Sequence, residues 1–444
     1  MAIALGVAPY PAAGSEAPPV EDPFLASLIQ EALEKNPDLQ ATREMLAGAR
    51  ARPDQARALA NPMLFLAYTN DSWSPTLGER DMTTLAFMWS QDLPFPGKRR
   101  LRGDIASLEA DTVDQQVERA KLSLTAAVER AYYGLILARD LLGLIWEQEN
   151  TWKEIEQVAL ARYTVGQGAQ QDVLRVQVEV TRIEQLRVEQ QTEVEVRLAE
   201  LNRLLDRAPQ TPLETTTRLA LRPLAGDLES LLARFGAVSP ELKSAGLTVE
   251  RDRLGVRLAQ KAFKPDFSVQ AGYMNRGGLD PMWQAGVGIS LPLYRKKPQS
   301  ALAEAESALR ASERRVQAAT AQLRFRTAER LAQIRSAEKI AGLYDKGIIP
   351  QDQMSVEAAI ANYQVGKLPF IAVLEALTTL YGDRTTYLRL LAGHARARAS
   401  LEEASLEATS DLGPMGAPGA RAMGGLPPAA ASMGSASGGS MANR

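Results

Sequence analysis

Side chains able to do covalent chemistry are nearly missing from this chain. Its 444 residues include one histidine, His394, and no cysteine. That excludes a thiol nucleophile, disulfides, a thiolate zinc site, clustered imidazole ligation and a lipid-modified cysteine. Gly97-Lys98 and Gly366-Lys367 lack the upstream glycine of a phosphate-cradling loop, and neither HExxH nor GxSxG occurs. No catalytic residue, cofactor or metal site is expected, so the chain reads as a non-enzyme. What recurs instead is positive charge. Asp92–Arg100 reads DLPFPGKRR and Ser290–Pro298 reads SLPLYRKKP. Each sets a basic triplet, Lys98-Arg99-Arg100 or Arg295-Lys296-Lys297, at the start of a long helical pattern. The helix macrodipole makes cations unfavourable there, so another source of stabilisation is needed.

The elements that carry these triplets are duplicated. Asn36-Pro-Asp-Leu returns as Ser239-Pro-Glu-Leu, and Asn61-Pro62 returns as Lys264-Pro265. ARYTVGQGAQQDVL from Ala161 returns 200 residues later as ANYQVGKLPFIAVL from Ala361. Blocks repeated in one order mark two structural repeats, 22–207 and 226–404, joined by a Pro- and Thr-rich linker over 208–225. Each repeat opens with a helical segment, within Pro23–Leu59 or Leu228–Lys261. A β-hairpin follows, over 62–93 or 265–293. In its strands one face is apolar, with Leu64, Leu66, Tyr68, Leu85, Phe87 and Trp89, or Phe267, Val269, Ala271 and Tyr273. Long helices are expected over 99–162 and 299–362, with apolar residues such as Val113, Val117, Ala120, Leu124 and Ala127 in a coiled-coil seam. The first has no proline and would run roughly 95 Å; Pro350 should bend the second. After a glycine turn, returning helices are expected over 170–205 and 370–404. Two short helices stacked end to end would match one long helix.

Composition fixes the setting. The formal net charge is −2 with no basic half, so nucleic acid is not a partner. No apolar run reaches the length of a transmembrane helix. Residues 1–21 read either as a trimmed export signal or as a disordered leader. Four strands cannot close a barrel, yet a bilayer tolerates no bare sheet edge. Strands of about 9–10 residues suit a tilted membrane crossing. Closure therefore needs several chains, and three give a twelve-stranded wall with an aqueous bore. The expected fold is mainly α with a β-barrel segment: a trimer whose barrel continues into a long α-helical barrel. Both basic triplets then lie where strands leave the bilayer. Anionic headgroups contribute about 1 kcal/mol per basic residue there, against about 0.3–1 kcal/mol of dipole cost. Trp73, Trp89, Trp283 and Tyr273 fit either an interfacial girdle or a plain hairpin core.

The duplicated unit, the YxVG turns at Tyr163 and Tyr363, and the segment QDLPFPGKRRLR resemble the TolC family of outer-membrane efflux proteins over about 22–404. Gln91–Arg102 most resembles the branch serving heavy-metal pumps of the resistance-nodulation-division type; related branches serve drugs. The resemblance implies a homotrimer in the outer membrane of a Gram-negative bacterium, projecting into the periplasm. It also implies a periplasmic adaptor, an inner-membrane pump of that type, contact with outer-membrane lipid, and passive conduction. It makes Tyr163, Val165, Gly166, Gly168, Val365, Gly366 and Lys367 the adaptor-docking tips. Tyr363 and Asp172 match a link that holds the closed state, and Glu375 matches one of two acidic rings at the pore entrance. Ala372 stands where the second ring is expected and Leu368 where a basic latch is expected, which weakens the electrostatic part of the lock. Taken as isolated residues, Gly166 and Gly366 fit simple turn geometry, and Asp172 and Glu375 fit solvated helix faces.

The tail over 405–444 is Gly-, Ala-, Ser- and Pro-rich. Its Met415, Met423, Met433 and Met441 are too widely spaced to converge on one Cu(I) site. The rival class is a soluble coiled-coil scaffold or periplasmic adaptor without a pore. Purification separates the two: a membrane channel stays in solution only with detergent, whereas a freely soluble monomer in plain buffer would establish the scaffold.

Overall fold

In the computed structural model the described residues are 22–404 and 406, apart from 72, 78, 79, 216 and 217. The leader over 1–21 and nearly all of the tail over 405–444, with its four methionines, lie outside the described residues. The chain is mainly helical with four strands, as expected from its patterning.

Helix α1 (Pro23–Lys35) starts at Asp22, whose carboxylate accepts from the amides of Phe24 (3.0 Å) and Leu25 (3.4 Å). It ends at Asn36, and α2 (Pro37–Arg57) begins at once. The single helical segment expected here is therefore two helices. Proline excludes helical backbone from the residue before it and lacks an N–H, but it suits a first turn. Asn36 accordingly sits at ψ 121° and accepts from the Leu39 amide at 3.1 Å. Its side-chain amide also donates to the Leu204 carbonyl at 3.0 Å, fastening the break to another helix end. The second repeat makes the same correction. Ser239, at ψ 114°, caps the amide of Leu242 at 3.4 Å, as its Oγ accepts that N–H.

The strands are β1 (Met63–Thr69), β2 (Thr84–Leu93), β3 (Asp266–Arg276) and β4 (Leu279–Ser290). They form one antiparallel sheet in the order β1-β2-β3-β4, so the two hairpins pair with each other across the repeat boundary. Register puts Phe87 beside Tyr273 and Tyr273 beside Trp283; Leu66 also faces Phe87. This row continues through Leu64–Trp89, Val269–Val287 and Phe267–Ile289. The opposite face carries Ser90, Gln270 and Gly286, then Asp92, Ser268 and Gly288. The apolar face lies open: Leu64 is 76% and Trp283 80% exposed.

Helix α3 (Lys98–Thr164) is continuous over 67 residues and α4 (Gln170–Leu204) returns beside it. In the second repeat α5 (Leu228–Val238) and α6 (Pro240–Lys261) precede the sheet. After it come α7 (Lys296–Leu343), a π-helical turn at Tyr344–Ile348, α8 (Ile349–Gln364) and α9 (Phe370–Glu402). The disturbance expected from Pro350 takes the form of that wider turn. Proline has no N–H for the carbonyl four residues back, and a one-turn widening lets the helix resume. Helix α3 packs against α2 and α4 of its own repeat and against α6 and α9 of the other. One core joins Leu28, Leu39, Tyr132, Leu135, Leu201 and Leu205. A second, at the far end, mixes both repeats through Trp152, Val176, Tyr363, Phe370 and Leu377.

Where sheet meets helix, Gly97 adopts φ 90° and turns the chain into α3. Lys98 then points inward. It is buried, and its Nζ donates to both Asp266 carboxylate oxygens at 2.8 and 3.0 Å. The Phe95 amide reaches the same carboxylate at 2.6 Å. Lys98 therefore leaves the basic collar: a buried ammonium must be paired, and its partner is the first residue of β3. Lys98→Gln should lower stability by about 1–3 kcal/mol, whereas the exposed Lys297→Gln should stay within about 0.5 kcal/mol. Unfolding midpoints in detergent check the difference; equal midpoints would put Lys98 back at the surface.

Candidate functional site at the helical tips

The two turns that end the long helices share one geometry. Gly166 and Gly366 take φ 75° and 78°, the left-handed region that a side chain would strain. Their amides donate to the Tyr163 and Tyr363 carbonyls, each at 3.0 Å. The next amides, of Gln167 and Lys367, close on the carbonyls of Arg162 (2.9 Å) and Asn362 (2.8 Å). These are Schellman-type ends, and they leave Val165 and Val365 at the surface, each 67% exposed. Gly168 packs closely: a Cβ there would meet the Tyr163 nitrogen at 3.1 Å. Leu368 occupies the matching place in the second turn and is half-exposed, as Lys367 is exposed.

Beyond that shared backbone the two tips differ. Tyr363 is 2% exposed, whereas Tyr163 is 44% exposed. The Tyr363 ring meets Phe370 edge-on at 5.6 Å, and Phe370 meets Trp152 at 6.5 Å. Gln170 takes the place of Phe370 in the first repeat, so Tyr163 has no such aromatic support. Arg162, from the first repeat, crosses to the second. Its guanidinium lies 4.4 Å from the Tyr363 ring centroid and donates to the Tyr363 carbonyl and, at 2.9 Å, to the Gln167 carbonyl. The Tyr363 hydroxyl points at Asp172 Oδ2, 3.4 Å away. Burial, aided by the Asp172 charge, pushes the Tyr363 phenol above its ordinary pKa. The hydroxyl thus remains a neutral donor throughout the physiological range.

The structure thus brings Tyr363 and Asp172 together and adds Arg162, which sequence reasoning missed. The one signal in the sequence is that the first repeat carries a charged Arg162 where the second has Asn362. Glu375 stands exposed on α9, outside this contact set, and Ala372 is half-buried. At the other end of the molecule Arg99 Nε donates to the Arg57 carbonyl at 2.6 Å, and Arg100 lies 3.7 Å from Asp104. Arg295, Lys296 and Lys297 are exposed. Sequence reasoning also missed a belt midway along the helices. There Arg119 bridges Glu241 (2.7 Å) and Glu403 (2.8 Å), and Arg130 reaches Glu403 at 3.0 Å. Nearby burial, reinforced by Glu402, pushes the Glu129 carboxyl up to about 7. His394 is buried against Glu338 at 3.3 Å, and burial lowers its pKa despite that partner. Among the described residues no group of three or more His, Asp or Glu could hold a metal ion. No described helix is long and apolar enough to cross a membrane.

Comparison with known proteins decides the family. The family described as outer membrane efflux protein matches residues 28–207 and again 231–405, once per repeat. The chain belongs to that family. It is an outer-membrane protein whose family and fold are those of transport channels; the soluble scaffold or adaptor alternative finds no support. Among relatives, the alkaline protease secretion protein AprF of Pseudomonas aeruginosa is 26% identical over 303 residues, covering 62% of each chain. The fusaric acid resistance protein FusA of Burkholderia cepacia is 24% identical over 297 residues, covering 62% of this chain and 56% of its own length. The match thus spans less than two thirds of either relative. Among solved structures, the outer-membrane protein VceC of Vibrio cholerae superposes with a TM-score of 0.72 at 18% identity. It covers 86% of this chain and 95% of VceC.

The tip contacts generate a test. A cation–π contact contributes about 0.5–2 kcal/mol and a hydrogen bond from a charged group about 1.5–3 kcal/mol. Arg162→Gln should therefore speed amide exchange across 161–170 and 361–370 by roughly tenfold or more, with the helix midpoints unchanged. Tyr363→Phe should have a smaller effect of the same sign. Unaltered exchange in Arg162→Gln would show that the guanidinium holds nothing.

Proposed function

We propose that the protein is the outer-membrane conduit of a tripartite efflux system, a passive homotrimeric channel. One observation carries this reading: a four-stranded sheet with an open apolar face and two unpaired edge strands, β1 and β4, continues directly into helices with an unpartnered apolar row. That row includes Leu174, Val178, Leu186 and Val196 on α4, each about half-exposed. In a bilayer the edges must pair, and three copies joined β1 to β4 satisfy every edge in a twelve-stranded barrel. The helices then close a second barrel in register below it.

In this reading the tips face the periplasm. Exposed Tyr163, Val165, Val365 and Lys367, on turns set by Gly166, Gly168 and Gly366, receive a periplasmic adaptor that couples the channel to an inner-membrane pump of the resistance-nodulation-division type. Tyr363, Asp172 and Arg162 fasten the two helix pairs in the closed state, and opening separates them. Glu375, tripled around the axis, supplies a cation-attracting ring at the pore entrance. Arg99, Arg100, Arg295, Lys296 and Lys297 form the collar at anionic outer-membrane lipid. The substrate class follows from the resemblance of Gln91–Arg102 to the heavy-metal branch, with organic drugs as the second class. FusA, whose name refers to fusaric acid resistance, supports the latter.

The cysteine-free chain gives a clean test of assembly. Single cysteines placed on β1 and on β4, oxidised in native membranes, should yield disulfide-linked dimers and trimers and nothing larger. A chain that stays monomeric with every pair would overturn the conduit. Deleting the gene should sensitise cells to copper, silver, zinc or cobalt if metals are the cargo, or to a drug panel if organic molecules are.

A further inference from the structure

At the junction of helix and sheet in the first repeat lies a pocket of about 530 Å³, lined by Arg57, Arg99, Arg100 and Asp104. Three guanidiniums there face one carboxylate. Arg57 Nη2 pairs with Asp104 at 3.1 Å, which fixes the Arg57 side chain across the start of α3. Arg99 donates its Nε to the Arg57 carbonyl at 2.6 Å, which caps the last turn of α2 beside the pocket. Arg100 touches Asp104 only at 3.7 Å and is 86% exposed in its side chain. The pocket is shaped by the backbone as well. A Cβ on Gly103 would come within 2.3 Å of the Arg57 side chain, so only glycine lets that stem lie across α3.

We propose that this pocket binds the phosphodiester of an anionic phospholipid headgroup, one per protomer. The proposal deepens the membrane collar and rests on that reading. Guanidinium forks match phosphate oxygens in paired hydrogen bonds, and the single carboxylate leaves two positive charges unbalanced. A lipid fits better than free phosphate because the neighbouring surface is apolar. Strand β1 begins just after α2, and its Leu64 and Leu66, on the apolar sheet face, are 76% and 60% exposed. A headgroup in the pocket would lay its acyl chains beside them. The second repeat has no such pocket by sequence: where SLPLYRKKP matches DLPFPGKRR, Lys297 and Pro298 replace Arg99 and Arg100.

The test uses the full chain in a neutral detergent, titrated with short-chain phosphatidylglycerol, phosphatidylcholine of equal chain length, and inorganic phosphate, with the thermal midpoint as readout. Phosphatidylglycerol should raise the midpoint and bind about tenfold more tightly than phosphatidylcholine. The Arg57→Gln/Arg100→Gln double variant should lose that preference, while Lys296→Gln/Lys297→Gln keeps it. Gly103→Ala, which removes no charge, should weaken phosphatidylglycerol binding by displacing Arg57. Equal affinity for the two lipids, or an undiminished preference in the Arg57/Arg100 variant, would overturn the proposal. Phosphate binding as tightly as phosphatidylglycerol would overturn the lipid as its source. Insertion into phosphatidylcholine vesicles is scored separately, so the membrane reading stands or falls independently of the pocket.

Discussion

The outer edges of β1 and β4 present rows of backbone N–H and C=O groups with no strand partner among the described residues. In water such an edge is tolerable; in hydrocarbon each unpaired group costs several kcal/mol. The face joining those edges is a continuous apolar surface from Leu64 through Trp89 and Tyr273 to Trp283 and Val287. In a bilayer an element with that face and those edges demands partners for its backbone. The demand for pairing bears on the rest of the fold, down to the attachment of the sheet to long helices.

The duplication meets half of that demand within one chain. Hairpins from the two repeats pair through β2 and β3, and the ion pair of Lys98 with Asp266 ties the end of the first hairpin to the start of the second. The same cross-repeat logic recurs down the molecule. Arg119 and Arg130 of the first repeat hold Glu241 and Glu403 of the second. At the tips Arg162 covers Tyr363. Buried or half-buried charges contribute little net stability by themselves, because desolvation offsets their attraction. Their role here is registry: each pair is satisfied in one alignment of the repeats and left unpaired in others.

The repeats nevertheless differ where function is expected. Identical glycine turns support a buried tyrosine in one tip and an exposed tyrosine in the other. The difference follows from Phe370 against Gln170 and from the reach of Arg162 against Asn362. At the membrane end Gly103 and three arginines make a pocket in the first repeat, where the second offers Lys297 and Pro298. In the proposed ring of such protomers, two kinds of tip would therefore alternate around the axis.

Much of this was legible in the residues. Periodicity of two marked the hairpins, a three–four seam marked the long helices, and the offset of 200 marked the duplication. The absence of cysteine and the lone His394 turned attention away from catalysis. These signals are local: backbone geometry and side-chain polarity act over a few residues, so sequence alone determined the element types, their order and the apolar sheet face. It also held the Asn36-Pro37 and Ser239-Pro240 breaks, which a periodicity count passes over because helix resumes at once on the far side of each proline. Only the tertiary structure decided which charges pair. It turned Lys98 inward onto Asp266, set Arg162 over Tyr363 and gathered Arg57, Arg99 and Arg100 around one space. Those partners lie tens to hundreds of residues apart, and whether a cation faces water, a carboxylate or a ring depends on which helices pack side by side.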